Sequence, residues 1–284
     1  MIVVSLTTIP ERLEKGLPEI CVNSILTQTV YPDYIIINIP RVSKRGKLYN
    51  AEMVKKLEQT YSRITRPIIK VQFGTQDLGP ITKIVPTLFF IKHELSGLNE
   101  PIYVILVDDD CIYNINMIER LTTAKKENPQ EMVISTSGRL IQRNKFELVG
   151  PGASNSAKSK DDFIYVDIIE TFPGSLYDYS LFKNKLDEFI EWLETLPEFV
   201  LKADDVILSF WAKKQGVKLY NLRHKVLTIL KHDPQKTPEL NTINDGEGNN
   251  ELVYDYFINR FEKERIGKLI TDSRNNSFAK FVGL

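Results

Sequence analysis

Three consecutive aspartates, Asp108, Asp109 and Asp110, close the apolar run Val104-Ile105-Leu106-Val107. That run has the length and β-branched content of a buried strand. Carboxylates crowded at a buried strand end repel one another and lose hydration, a state made tolerable by a cation among them. The first and third positions, Asp108 and Asp110, suit a divalent ion that prefers oxygen ligands, Mg²⁺ or Mn²⁺. Aspartates also follow strands as ordinary turn residues, but three directly after an apolar run favour a metal or catalytic role. A second acidic pair, Asp204-Asp205, opens a helical pattern. One aspartate suffices to cap a helix, which leaves the other available as a general base. His232 follows the apolar run Val226 to Leu230, and a lone histidine is more often structural than a ligand.

Two further groups stand where they could meet an anion. Thr7, Thr8 and Arg12 follow the first apolar run, Ile2 to Leu6. Their hydroxyls and guanidinium fit either nucleotide contacts or a plain strand-to-helix connection. Thr82 and Lys83 follow Gly79-Pro80, near a helix start where backbone N–H groups and an ammonium favour a diphosphate. A lone lysine in a first turn is otherwise just solvated.

The elements that must carry these groups alternate between strand and helix. Strands are predicted at Ile2 to Leu6, Tyr34 to Ile39, Ile68 to Phe73, the aspartate run, Glu131 to Thr136, Phe163 to Ile169, Val217 to Leu222 and Val226 to Leu230. Helices are predicted at Leu17 to Gln28, Ala51 to Tyr61, Pro80 to Leu95, Ile115 to Glu127, Leu186 to Leu196, Asp204 to Gln215 and Glu251 to Glu264. Ser137 to Asp162 shows no period and is expected to be a long surface excursion beside the site. Glu170 to Ser175 is a turn followed by the aromatics Tyr177, Tyr179 and Phe182. The alternation specifies an α/β fold, a mostly parallel sheet with helices on both faces. In such sheets ligands bind beyond the carboxyl ends of the strands.

The chain has 284 residues, enough for one large α/β domain. Lys plus Arg and Asp plus Glu number 37 each. No net basic field therefore recruits nucleic acid or an acidic membrane. Cys21 and Cys111 are the only cysteines; they make neither a disulfide framework nor a zinc pattern, and a reducing compartment fits. No apolar run reaches the roughly 18 residues of a membrane span. The start lacks the basic region of a signal peptide, so a cytoplasmic, soluble protein is expected.

With the elements placed, the chain resembles the nucleotide-sugar-dependent glycosyltransferases of the GT-A fold, with the closest look to small bacterial and viral members related to family 2. The segment VILVDDDCIY resembles the family's DxD strand, and SLTTIPERL its first strand and nucleotide loop. DLGPITK is similar to the segment lining the diphosphate pocket, and ETFPGSLY to the glycine-bearing acceptor-side turn. ADDVILSFWAKKQGVKLY resembles the "ED" helix, with Asp204 in place of the usual Glu. The resemblance covers most of residues 1–235, and the motifs come in the family's order. It implies a single GT-A domain over 1–235, with a nucleotide-sugar half at 1–113 and an acceptor half at 114–235, followed by a tail at 236–284.

The resemblance also implies roles. Asp110 and Asp108 would hold Mn²⁺ or Mg²⁺, with His232 standing where many GT-A enzymes supply a further ligand. Thr8, Arg12, Lys83, Asp108, Asp109 and Asp204 would contact the nucleotide sugar. Asp205 would be the base for an inverting single displacement onto a carbohydrate hydroxyl. The Gln-x-x-Arg-Trp motif of processive members is absent, which implies single sugar addition. A nucleotide-sugar-forming nucleotidyltransferase would carry a glycine-rich loop after the first strand, where this chain has no glycine before Gly16. A phosphatase with a strand-end nucleophilic Asp would need partner motifs that do not occur. A catalytically silent sugar-binding module would be expected to have lost Asp205 or the triplet, and both are present.

Overall fold

The computed structural model describes residues 1–95, 97–142, 145–149, 163–222, 229–230 and 248–260. Thirteen strands are described: β1 (Ile2–Thr7), β2 (Tyr34–Pro40), β3 (Ile68–Thr75), β4 (Tyr103–Leu106), β5 (Cys111–Ile112), β6 (Val133–Ser135), β7 (Gly138–Gln142), β8 (Lys145–Val149), β9 (Phe163–Val166), β10 (Ile168–Ile169), β11 (Ser175–Asp178), β12 (Leu219–Leu222) and β13 (Ile229–Leu230). The α-helices are α1 (Pro10–Glu14), α2 (Leu17–Leu26), α3 (Ala51–Tyr61), α4 (Val85–Glu94), α5 (Met117–Glu127), α6 (Ser180–Lys183), α7 (Leu186–Glu194) and α8 (Asp204–Lys214), and residues 249–260 are also helical.

Eight strands form one sheet in the order β3-β2-β1-β4-β11-β6-β12-β9. The pairings β3-β2, β2-β1, β1-β4 and β6-β12 are parallel. Those of β4-β11, β11-β6 and β12-β9 are antiparallel. The sheet is α/β and mostly parallel, as the strand-helix alternation predicts. Side-chain alternation along each strand sends apolar residues to both faces. Val3, Ile36, Val104 and Leu106 join α4, α7 and α8 in one core, and Phe257 of the 249–260 helix packs there too. Val4, Ile35, Ile37 and Ile105 join α2, α3 and α5 in the other. A strand buried on both faces favours a near-continuous apolar run, which Tyr103–Leu106 has and Tyr34–Pro40 has apart from Asn38.

Three sequence expectations are corrected. The Ser137 to Asp162 stretch is not irregular throughout, because β7 and β8 pair as an antiparallel hairpin. Phe163 to Ile169 is not one strand: β9 joins the large sheet, while β10 turns away to pair with β7. No strand is predicted after the Glu170 to Ser175 turn, yet Ser175–Asp178 is strand β11 and carries Tyr177. β11 is antiparallel and inserted between β4 and β6, with Ser175 opposite Leu106; Tyr179 follows it and Phe182 lies in α6. Of Val226 to Leu230 only 229–230, and of Glu251 to Glu264 only 251–260, lie within the described residues; boundary shifts elsewhere are small, and Pro80 precedes a 3₁₀ turn, Ile81–Lys83, before α4 starts at Val85.

Candidate active site

The carboxyl ends of β1 and β4 and the amino end of β11 meet at one edge of the sheet. Because β11 runs antiparallel, the segment leading into it, Glu170 to Gly174, reaches the same edge as the aspartates that leave β4. Gly174 makes that turn with φ of +96°, a conformation glycine adopts without steric cost.

The charges at this edge are paired. Arg12, from α1, sends Nη1 to Asp109 Oδ1 at 2.6 Å and Nη2 to Asp110 Oδ2 at 2.8 Å. Lys83 Nζ bridges Asp108 Oδ1 at 2.5 Å and Asp204 Oδ2 at 2.9 Å, and it donates to Thr171 Oγ1 at 3.1 Å. The sequence argument that the triplet needs a cation is met, among the described residues, by two of the protein's own. Burial disfavours the charge on Lys83, but Asp108, Asp204 and Asp205 outweigh it and hold its proton well above the usual lysine range. Arg12 is likewise raised: burial opposes its charge, and Asp109 and Asp110 reverse that effect.

Lys83 is held from below. Its carbonyl accepts from the Ser5 hydroxyl and, at 3.2 Å, from Asn38 Nδ2. Thr87 closes the group, its hydroxyl 2.7 Å from Ser5 Oγ and 3.0 Å from Asn38 Nδ2. Ser5 and Asn38 are the polar breaks in the otherwise apolar β1 and β2, and both are fully buried. They fix the 3₁₀ turn to the sheet and so aim the ammonium at the site. Lys83 is therefore not a solvated first-turn lysine.

Asp205 faces the same cluster. Its Oδ1 accepts from the Thr171 backbone N–H at 2.9 Å and the Thr171 hydroxyl at 2.7 Å. Neither Asp204 nor Asp205 caps α8; Ala203 is the N-cap residue, and no side chain bonds there. Asp205 stays partly open to solvent, yet protein surrounds it closely enough to raise its proton affinity. Burial and the Asp204 charge push its pKa well above the ordinary carboxylate range, Glu170 adds to this, and Lys83 and Thr171 oppose it. A carboxylate with raised proton affinity and an open side is equipped to accept a proton.

No family model and no curated protein matches the chain. Solved structures do. A crystal structure of S. aureus TarS aligns with a TM-score of 0.50 at 14% identity, over 83% of this chain. The fold is Rossmann-like and of the GT-A type. The chain spans 37% of the length of that neighbour.

The fold brings Arg12, Lys83, Asp108, Asp109, Asp110, Asp204 and Asp205 together. Thr8 is close by but buried, its hydroxyl donating to the Ile9 carbonyl at 3.3 Å and its carbonyl taking the Tyr49 hydroxyl at 2.6 Å. His232 lies outside the described residues. Two site residues escaped the sequence reading. Thr171 was seen only as part of a turn. Tyr113 accepts from the Asp108 backbone N–H at 2.8 Å and donates to the Phe172 carbonyl at 2.7 Å. It thereby ties the aspartate loop to the Thr171 turn. Its place just past an acidic triplet is a signal, but the partner lies 59 residues away.

Among the described residues, no group of three or more His, Cys, Asp or Glu side chains is arranged to hold a metal ion. Mg²⁺, however, is typically bound through one or two carboxylates together with substrate phosphates. Asp108, whose side chain is 30% exposed, and Asp110 are hard oxygen donors of that kind. The buried Asp109 Oδ2 has no hydrogen-bond partner. The residues present fit an ion that arrives with a diphosphate. No helix among the described residues is long and apolar enough to cross a membrane.

Proposed function

We propose that the protein is a glycosyltransferase that moves one sugar from a nucleoside-diphosphate sugar to a hydroxyl of a carbohydrate acceptor. The observation that carries this reading is the pairing of Asp205 with Thr171 at the sheet edge that also holds Asp108 to Asp110. A fold shared with TarS, a glycosyltransferase, supports it.

Asp205 takes the proton of the acceptor hydroxyl as that oxygen bonds the anomeric carbon. The bond from the anomeric carbon to the diphosphate oxygen breaks with its electron pair on the leaving group, and the configuration inverts. Thr171 fixes the oxygen Oδ1, leaving the rest of the carboxylate for the acceptor. Lys83 holds Asp204 and Asp108 and places positive charge beside the departing diphosphate. Asp108 or Asp109 would also hydrogen-bond the donor's ribose or sugar. Asp108 and Asp110 would hold Mg²⁺ or Mn²⁺, with His232 as a proposed further ligand; such an ion neutralises charge on the departing diphosphate.

The test is a thermal-shift panel of UDP, GDP, CDP and dTDP, each with Mn²⁺, Mg²⁺ or EDTA. A ligand that binds only the native state raises its melting temperature by mass action. One nucleotide raising it in a metal-dependent way is the expected result. A shift that survives EDTA would retain the nucleotide and remove the metal. No shift with any nucleotide in a folded sample would overturn the reading.

A further inference from the structure

We propose that Arg12 is the resident counter-cation of the aspartate triplet, and that it competes with a divalent ion for Asp110. The inference rests on the functional reading above and deepens it. Arg12 spans two carboxylates with separate nitrogens, Asp109 at 2.6 Å and Asp110 at 2.8 Å. The two anchors differ. Asp109 is 2% exposed, and its other oxygen is buried without a partner. Asp110, 9% exposed, is one of the two carboxylates to which the ion is assigned.

A guanidinium and a dication cannot share Asp110 closely, because like charges at a few ångströms repel strongly in a site largely shut off from water. Arg12 must therefore leave Asp110 for an ion to bind there. Its Nε is buried and unpartnered, so the two carboxylate bonds hold the head of the side chain. The side chain is 17% exposed, which gives it a way outward. A diphosphate suits the released fork, since guanidinium binds phosphate oxygens in a bidentate manner. The ion and the nucleotide would thus load together. Without the nucleotide, Arg12 keeps the carboxylates neutralised and in place.

Mn²⁺ alone tests this, with no nucleotide present. Free Mn²⁺ is followed by electron paramagnetic resonance during titration of wild-type protein, Arg12→Gln, Asp109→Asn and the double variant Arg12→Gln/Asp109→Asn. The Asn substitution removes the buried charge that Arg12→Gln leaves unpaired, so the last two proteins differ only at Arg12 even where the single Gln variant folds poorly. The expected result is Mn²⁺ affinity about tenfold or more higher in the double variant than in Asp109→Asn. Equal or weaker binding in the double variant, or no binding in either, would overturn the proposal. Nucleotide binding and transfer do not enter this titration. Failure of the functional reading would appear in the nucleotide panel instead.

Discussion

Thr171 gives both its backbone N–H and its hydroxyl to one oxygen of Asp205. Asparagine can receive the same two bonds with its own Oδ1. Asp205→Asn is therefore expected to fold and to bind nucleotide while losing about 10²–10⁴ of its transfer rate, the usual range for a general base. Wild-type kcat/KM should fall in acid with an apparent pKa above the ordinary carboxylate range. Full turnover in the Asn variant would remove Asp205 from the mechanism.

The same variant has a signature in stability. The pKa of Asp205 is raised on folding. Its contribution to stability is complete below the unfolded value of about 4 and is lost as pH rises through the folded value. Asparagine suffers no such loss. Melting temperatures of the two proteins, measured from pH 4 upwards, should diverge in favour of Asp205→Asn and then run parallel. A difference between the two proteins that stays constant with pH, or that moves in favour of wild type as pH rises, would contradict the assigned direction.

Lys83→Met should cost about 3–5 kcal/mol, because it strands Asp108 and Asp204 without their shared cation. Adding Asp108→Asn and Asp204→Asn should restore much of that loss. Urea unfolding of the single and triple variants makes the comparison. Additive losses would show that the pairing contributes nothing.

Tyr113→Phe removes the bridge between the aspartate loop and the Thr171 turn. It leaves the Asp108 N–H and the Phe172 carbonyl without this partner, at about 1–3 kcal/mol for each buried group left unsatisfied. Nucleotide affinity should weaken together with stability. Unchanged affinity would mean that the loop keeps its position without the phenol.

Two glycines separate backbone strain from crowding. Gly46 (φ +78°) has open space where a Cβ would stand, while at Gly174 (φ +96°) a Cβ would lie 2.7 Å from Met117 Sδ. Gly46→Ala should cost about 1–2 kcal/mol, the penalty of the left-handed region. Gly174→Ala should cost more, and calorimetric melting of the two variants decides it.

Much of this architecture was legible because local chemistry and global fold agree. The run at Tyr103 to Val107 is apolar throughout and that at Tyr34 to Ile39 is broken only by Asn38, a pattern that fits a strand covered on both faces. The acidic groups were legible as a cluster because carboxylates are too costly to bury without partners. Their partners were harder to see. Nothing local to Asp109 shows that its cation comes from Arg12, 97 residues earlier. Lys83 looked solvated because Ser5 and Asn38, which pin its turn, belong to other strands. β11 was missed because Ser175–Asp178 is short, follows a glycine turn, and owes its strand state to β4 and β6 on either side.

The β7-β10 pairing has a consequence for how such a protein diversifies. Gly138 stands opposite Ile169, and Glu170 takes the Ser137 hydroxyl and Arg139 Nε at 2.5 and 2.7 Å. The Ser135 hydroxyl adds bonds to the Ser137 and Glu170 carbonyls. The chain that leaves at Gly138 and returns at Ile169 is thus sewn together just before Thr171. Thr171, the residue that holds Asp205, is anchored by bonds that join the two ends of this segment. Under the function proposed above, a protein varied within this segment would keep Asp205 and its Thr171 partner in place.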